Sequence, residues 1–322
     1  MVDNLVGQAT ELESLNSKLN NRPAGKPFVA DTLARMKAWR LANGASWLAE
    51  RSESDGDKNS FLSVAFIPTM GALHDGHIEL VRRARAEADL VVVSIFVNPF
   101  QFAPHEDFDK YPRTFNSDLE LLNSVGVDCI FCPSEKEIYP HGRQSIVSVV
   151  PASPLNDTLE GAFRPTFFKG VATVVTKLFN LVQPHMSFFG EKDFQQLLVI
   201  KALACDLNLP VAIVGVPTVR EPDGLAMSSR NAYLDSTSRA LAPVLHQALS
   251  SVVSAFESKV PAAAALEKAQ ALIKAESKFD LQYLSLCHAE TLEPLSEFAK
   301  PFVVLLAAKL GDVRLIDNIV VT

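Results

Sequence analysis

The stretch Leu90–Val97 (LVVVSIFV) is apolar at every position except Ser94. A strand with one face in water alternates apolar with polar. An unbroken run of this length is how a strand reads when both faces are buried. Burial on both faces needs helices above and below, so strands and helices should alternate along the chain. The neighbouring segments follow that rule. Phe61–Ile67 reads as a strand, and Ile78–Ala88 as a helix with Leu80, Val81, Ala84 and Ala88 on one face. Asn116–Ser124 reads as a helix, Val127–Cys132 as a strand and Ile146–Val150 as a further short strand. Then come helix Gly170–Val182, strand Met186–Phe189, helix Phe194–Leu207 and strand Val211–Val216. The expected fold class is α/β, a Rossmann-like parallel sheet with helices on both faces.

After Asp235 the texture changes. Alanine-rich Pro261–Glu276 reads as helix, and Leu281–Cys287, Phe302–Ala308 and Val313–Val321 read as three strands with no long helix between them. This predicts a smaller α+β C-terminal domain. A chain of 322 residues has room for both. The expected division is an irregular N-terminal arm over 1–30, a Rossmann-like domain over 31–218 that opens on a helix at Asp31–Ala42, and a C-terminal α+β lid over 219–322. Residues 51–60 read as an exposed loop.

Composition removes several function classes. A net charge of -7 disfavours nucleic acid and anionic membrane surfaces, which need clustered Lys and Arg. No apolar run approaches the ~18 residues of a membrane span. The first residues lack the basic-then-apolar order of a signal peptide, and Asp3, Glu11 and Glu13 argue against a transit peptide. Of four cysteines, Cys129 and Cys132 form a C-x-x-C, the spacing of a redox pair or half a zinc site. They fall inside a strand-like run with no second C-x-x-C, so buried free thiols are the better reading. Without a disulfide framework, a reducing cytoplasmic setting is expected.

In an open parallel sheet, ligands gather beyond the carboxyl ends of the strands. Four polar clusters follow strands here: 68–77 (PTMGALHDGH), 98–101 (NPFQ), 190–193 (GEKD) and 227–230 (MSSR), the last lying between Val219 and the C-terminal strands. In the first, Gly71 and Gly76 would let the backbone approach a ligand. His77 is placed at a helix start, where free N–H groups favour an anion, and His74 lies three residues before it. Phosphate suits this pair better than a metal, which would need a third ligand nearby. Lys192, after one strand and before a helix, reads as a point charge for phosphate. Asp193 reads as a helix N-cap, a ribose ligand, or both. Ser228 and Ser229 have no G-x-S-x-G elbow around them, so with Arg230 they read as a phosphate loop. Gln101 and Gln196 read as neutral hydrogen-bond donors for a hydroxylated substrate.

These residues carry a resemblance. His74-Asp75-Gly76-His77 resembles the HxGH signature of the adenylyl-transferring superfamily that includes class I aminoacyl-tRNA synthetases, and Met227-Ser228-Ser229-Arg230 resembles its KMSKS-like loop. The longer strings PTMGALHDGH (68–77), SIFVNPFQF (94–102), DKYPRT (109–114), FFGEKDFQQL (188–197) and GVPTVREPDGLAMSSRNAYL (215–234) together resemble the pantothenate synthetase, or pantoate–β-alanine ligase, family. The likeness runs from about Phe61 to Thr322.

The resemblance implies a reaction and a set of roles. ATP and (R)-pantoate give pantoyl adenylate and pyrophosphate, and β-alanine then takes the acyl group to give pantothenate and AMP. Mg²⁺ is implied with the ATP, and a homodimer as the assembly. Met70, Gly71, Ala72, Leu73, His74, Asp75, Gly76 and His77 are implied at ATP. So are Gly190, Glu191, Lys192, Asp193, Val219, Met227, Ser228, Ser229 and Arg230. His74, His77 and Lys192 are the implied catalytic residues. Gln101, Gln196 and Asn98 are implied at pantoate, Gln101 also at β-alanine, Tyr111 along the wall, and Asp118 at Mg²⁺. The family assigns His77 as a proton donor. Pyrophosphate is already an adequate leaving group, so charge stabilisation by His77 and Lys192 is the expectation on chemical grounds.

The chain departs from the family pattern in a longer loop at about 43–59, in Phe167 where many relatives have His, and in Pro184-His185, expected at a surface turn. Two other functions stay open at this stage. A nucleotidyltransferase acting on a phosphate acceptor would share the histidines but need a second basic pocket. A nucleotide sensor would have no use for Lys192, both histidines and both glutamines together.

Overall fold

The structure is a computed structural model, and it describes residues 26–43, 62–103 and 106–322. Most of the expected arm and the long loop at about 43–59 therefore lie outside the described residues. Six parallel strands form the large sheet: β1 (Phe28–Ala30), β2 (Val64–Thr69), β3 (Leu90–Ile95), β4 (Cys129–Phe131), β5 (Met186–Gly190) and β6 (Ala212–Val216), in the order β1-β4-β3-β2-β5-β6. β2 and β3 pair in full register, Val64 opposite Leu90 through Thr69 opposite Ile95. β3 is buried at each position from Val91 to Ser94, as its apolar run requires.

Helices cover both faces. On one, α1 (Leu33–Ala42), α4 (Phe167–Val182) and α5 (Phe194–Asp206) contribute Trp39, Phe179 and Ile200 to a core with Phe66 and Val92. On the other, α2 (Asp75–Glu87) and α3 (Phe115–Ser124) contribute Val81, Ala84 and Leu122 to a core with Ile67 and Val93. Successive residues of a strand point to opposite faces, so one strand feeds both cores.

Two expectations are corrected. Residues 28–30, assigned to the irregular arm, form β1, which pairs with β4 and closes that edge of the sheet. A strand of three residues is too short to show a period, and it forms because Phe28 and Ala30 can be buried there. Ile146–Val150 is not a strand of the sheet. Ile146 and Val149 lean on the core, Thr173 Oγ1 takes the Val149 N–H at 3.0 Å, and Val147 stands 95% exposed. His185 also departs from its expected surface turn: its Nδ1 accepts the Val64 N–H at 2.9 Å and helps fix the start of β2. Cys129 is buried on β4, and none of the four cysteines is in a disulfide.

The C-terminal module is an antiparallel sheet, β7 (Phe279–His288), β8 (Phe302–Leu310) and β9 (Val313–Val321), in that order. Helices α6 (Val244–Glu257) and α7 (Ala262–Lys274) cover one face. α6 was not legible in the sequence. The other face packs on the large sheet's body, where Phe194 and Leu198 of α5 meet Cys287, Val303 and Leu305. β8 is accordingly buried at every position except Lys309.

Candidate active site

The chain runs from β2 to β3 to β4 on one side of the sheet and later from β5 to β6 on the other. The crossover reverses between β2 and β5, and in such sheets that is where a crevice opens. Here the β2–β5 ladder spans only Ala65–Phe66 against Met186–Ser187. Beyond it lies a cleft of about 1110 Å³, walled on its far side by the C-terminal module.

The segment after β2 is built around α2. The helix begins at Asp75, so His74 is its N-cap and His77 sits three residues in, rather than opening it as expected. His74 Nδ1 accepts the Gly76 N–H at 3.2 Å, and His77 Nδ1 accepts the His74 N–H at 3.3 Å. With Nδ1 used as an acceptor, each neutral ring carries its proton on Nε2. The ring centroids are 4.1 Å apart. Burial, with Lys192 beside it, holds His74 down at about 4. Burial, with His74 and Lys192 nearby, holds His77 down at about 3. Two neutral N–H donors therefore line the cleft at pH 7.

The glycines shape this arrangement. A Cβ on Gly76 would lie 2.9 Å from His74 Cε1, so the imidazole occupies the space that Gly76 leaves. Gly71 and Ala72 take left-handed φ values of 80° and 52°. Asp118 holds this turn. Its Oδ2 accepts the Ala72 N–H at 3.0 Å, and its Oδ1 accepts the Leu73 N–H at 3.0 Å and the Thr114 hydroxyl at 3.2 Å. Asp118, expected at Mg²⁺, is 3% exposed, and both its oxygens clasp the backbone of this turn. Among the described residues no cluster of three His, Cys, Asp or Glu could hold a metal ion.

Asn98, expected at pantoate, is likewise bound to its own surroundings. It is fully buried, donates to the Gly170 carbonyl at 3.2 Å, and accepts from the Tyr139 hydroxyl at 2.8 Å and the Phe100 N–H at 3.3 Å. It fixes the 3-10 turn Pro99–Gln101 against α4 and does not reach the cleft. A Cβ on Gly170 would lie 2.2 Å from the Phe100 carbonyl oxygen, so this close packing needs glycine. Gln101, at the end of the turn, lines the cleft. So does Gln196, while its neighbour Gln195 turns inward to the Leu155 and Thr158 carbonyls at 2.9 Å each.

Lys192 stands in the 3-10 turn Glu191–Asp193 that follows β5. Its side chain is 19% exposed, and its ammonium lies 3.7 Å from Asp193 Oδ2. Asp193 occupies the N-cap position of α5 but makes no side-chain cap, against expectation. Ser228 caps the turn Ser229–Tyr233 through the Arg230 N–H at 3.3 Å. Ser229 Oγ meets the Tyr111 hydroxyl at 3.2 Å. Arg230 is held in a fork by Asp107, at 3.1 and 3.0 Å. Of the residues expected at ATP, Met70, His74, Gly76, His77, Gly190, Lys192, Asp193, Val219 and Met227–Arg230 line the cleft. Gly71, Ala72, Leu73, Asp75 and Glu191 lie behind it.

The sequence did not reveal the opposite wall. Arg314 and Asp317 of β9 line the cleft, and Arg314 Nη1 donates to Glu160 Oε2 at 2.7 Å across the two parts of the chain. Arg164 also lines it, forked on Glu106 at 2.7 and 2.8 Å and stacked 3.7 Å above the Phe167 ring. Phe167, one of the departures from the resembled family pattern, thus offers Arg164 a cation–π face.

Several known proteins resemble this chain. The family model described as Pantoate-beta-alanine ligase matches residues 41–320. The pantothenate synthetase of Rhodopseudomonas palustris is 52% identical over 260 residues, 80% of this chain and 91% of that protein. The crystal structure of pantothenate synthetase from Thermus thermophilus superposes with a TM-score of 0.82 at 43% identity, covering 91% of this chain and 98% of that one. The pantoate-beta-alanine ligase from Francisella tularensis, solved in complex with beta-gamma ATP and beta-alanine, gives a TM-score of 0.72 at 34% identity, covering 91% of this chain and 97% of that one.

Proposed function

The chain belongs to the pantoate–β-alanine ligase family and condenses pantoate with β-alanine using ATP, and we propose how its cleft does so. The carrying observation is that the neutral imidazoles of His74 and His77 and the Lys192 side chain share one cleft with the uncharged amides of Gln101 and Gln196. The cationic and N–H side receives the ATP phosphates, with the Met227–Arg230 loop against them. The amide side receives pantoate, and Gln101 reaches β-alanine as well. A pantoate carboxylate oxygen attacks the α-phosphorus, the bond from that phosphorus to the bridging oxygen breaks, and pyrophosphate leaves. The unprotonated amine of β-alanine then attacks the acyl carbon of the adenylate. The carbon–oxygen bond to AMP breaks, and the amine passes a proton to solvent water as the amide forms. His74, His77 and Lys192 stabilise charge on the transferring phosphate through preorganised donors. The Nδ1 atoms of both rings already accept backbone N–H groups, which favours this role over proton donation by His77.

A phosphate acceptor would call for a second basic pocket. The arginines that line the cleft, Arg164, Arg230 and Arg314, are each paired with a carboxylate, Glu106, Asp107 and Glu160, which favours pantoate over such an acceptor. The described residues do not build a cage for Mg²⁺. We propose that the ion enters chelated by the ATP phosphates, where it needs few protein ligands. We further propose a boundary near Val219, with the C-terminal module acting as a lid, a cytoplasmic location, and a homodimer. The exposed strip around Val147 and Val150 is a candidate contact between two copies. Sedimentation should return a dimeric mass, and a monomeric mass at micromolar concentration would exclude the dimer. Among the described residues no helix is long and apolar enough to cross a membrane.

Pyrophosphate release tests the reaction. ATP with pantoate alone should yield about one pyrophosphate per site, and β-alanine should convert this to steady turnover. Release that fails to discriminate pantoate from other acids, or that requires a phosphorylated acceptor, would remove the proposal.

A further inference from the structure

β9 buries a carboxylate and an amide side by side: Asp317 is 4% exposed and Asn318 5%. Buried polar groups must find partners, and these two reach beyond the C-terminal sheet for most of theirs. Asp317 takes the guanidinium of Arg220 in a fork, at 2.7 and 2.9 Å. Arg220 lies on the segment that leads from β6 to the Met227–Arg230 loop. The same Asp317 Oδ1 accepts the Asn318 N–H at 2.7 Å, and Arg220 Nη2 donates to the Asn318 carbonyl at 3.1 Å. The backbone of Asn318 is thus fixed on both sides.

Its side chain then crosses to the large sheet's body. Asn318 Nδ2 donates to the Glu191 carbonyl at 2.8 Å and to the Lys192 carbonyl at 2.9 Å. Two carbonyl acceptors fix which end of the amide is nitrogen. The turn they belong to has no side-chain cap at Gly190. A lysine reaches its target through a flexible four-carbon stem, so where its ammonium can dwell depends on where its backbone is anchored.

We propose that Asn318 is a positioning residue for adenylate formation: its amide, delivered by the C-terminal module, sets the Glu191–Asp193 turn and through it the place of the Lys192 ammonium. Asp317 and Arg220 hold Asn318 in turn, so the same anchor reaches the Met227–Arg230 segment. Lys192 is correctly placed only while β9 is docked. The inference rests on Lys192 acting at the transferring phosphate.

Asn318→Asp is nearly isosteric. It removes both donors and sets a carboxylate against two carbonyl oxygens, and Asn318→Ala simply withdraws the amide. Single-turnover pyrophosphate release from ATP and pantoate should slow by roughly 10–100-fold in both variants, the scale of a small misplacement of a catalytic group. The KM for pantoate should stay within about threefold, because Gln101 and Gln196 are untouched. A double-mutant cycle separates positioning from general damage. In a Lys192→Ala background, Asn318→Asp should cost no further rate. Additive losses would overturn the inference, as would wild-type release in both Asn318 variants. Failure of both variants to fold would also overturn it, by making Asn318 a residue of stability. If Lys192→Ala itself keeps turnover, the reading of Lys192 falls and takes this one with it. If Lys192→Ala loses turnover while the Asn318 variants do not, this inference alone fails.

Discussion

His74 and His77 differ from surface histidines in what holds them. Each ring accepts a backbone N–H at Nδ1, and burial disfavours the charged form. In the ligand-free protein, NMR titration should find two imidazoles that stay neutral down to about pH 4 and about pH 3. Titration of both near 6.5 would contradict the geometry. Stability follows with a definite sign. Between pH 6.5 and those lower values the unfolded chain binds protons that the fold refuses. The two histidines therefore weaken the fold as pH drops from 6.5 toward 3, and they weaken it least above 6.5. At the same scale, Gln101 and Gln196 offer a donor and an acceptor each. Gln101→Ala should raise the KM for pantoate by roughly ten-fold or more, the value of a lost hydrogen bond to a charged group. ATP affinity measured by calorimetry should change little, and an equal loss for ATP would reassign the residue.

At the scale of elements, the site is set by two braces whose own side chains never reach the cleft. Asp118 on α3 pins the Gly71–Leu73 turn through two backbone N–H groups, and Asn98 with Gly170 pins the turn that carries Gln101. Asp118→Asn replaces one acceptor oxygen with an N–H donor that faces a backbone N–H. It should destabilise the protein by about 1–3 kcal/mol, the penalty for a buried donor left unsatisfied. Turnover should fall because His74 and His77 follow the turn. The Mg²⁺ concentration for half-maximal activity should not change. A Mg²⁺ requirement raised roughly tenfold or more, with an unchanged melting temperature, would restore Asp118 as a metal ligand.

For the whole molecule, the C-terminal module is anchored by apolar contact as well as by polar ties. Phe194 and Leu198 meet Val303 and Leu305, while Arg314 reaches Glu160 and Asn318 reaches the Lys192 turn. A chain ending near Val219 would expose that apolar face of α5 and lose the far wall of the cleft. It should keep weak nucleotide binding at most and make no pantothenate, by mass-spectrometric assay of the product. Acting as the proposed lid, the module would keep water from a reactive intermediate. Substantial product from the shortened chain would refute the lid role.

The α/β class and the site-bearing loops can be read from the chain alone. Both depend on short-range pattern: Leu90–Val97 can be buried only between helices, and the polar clusters at 68–77 and 190–193 each adjoin a strand's carboxyl end. The same locality misleads at Ile146–Val150, where an apolar alternation is satisfied by leaning on the core, and at Phe28–Ala30, a strand too short to show a period. The family resemblance, for its part, implies ligands for Asp118 and Asn98, and residue type alone does not reveal whether a carboxylate or amide oxygen faces a cleft or a backbone N–H. Packing in three dimensions settles that question, and packing alone sets Asn318 beside Lys192, 126 positions away in the chain. Partners so distant are chosen by how sheets and helices pack, and no local spacing encodes them.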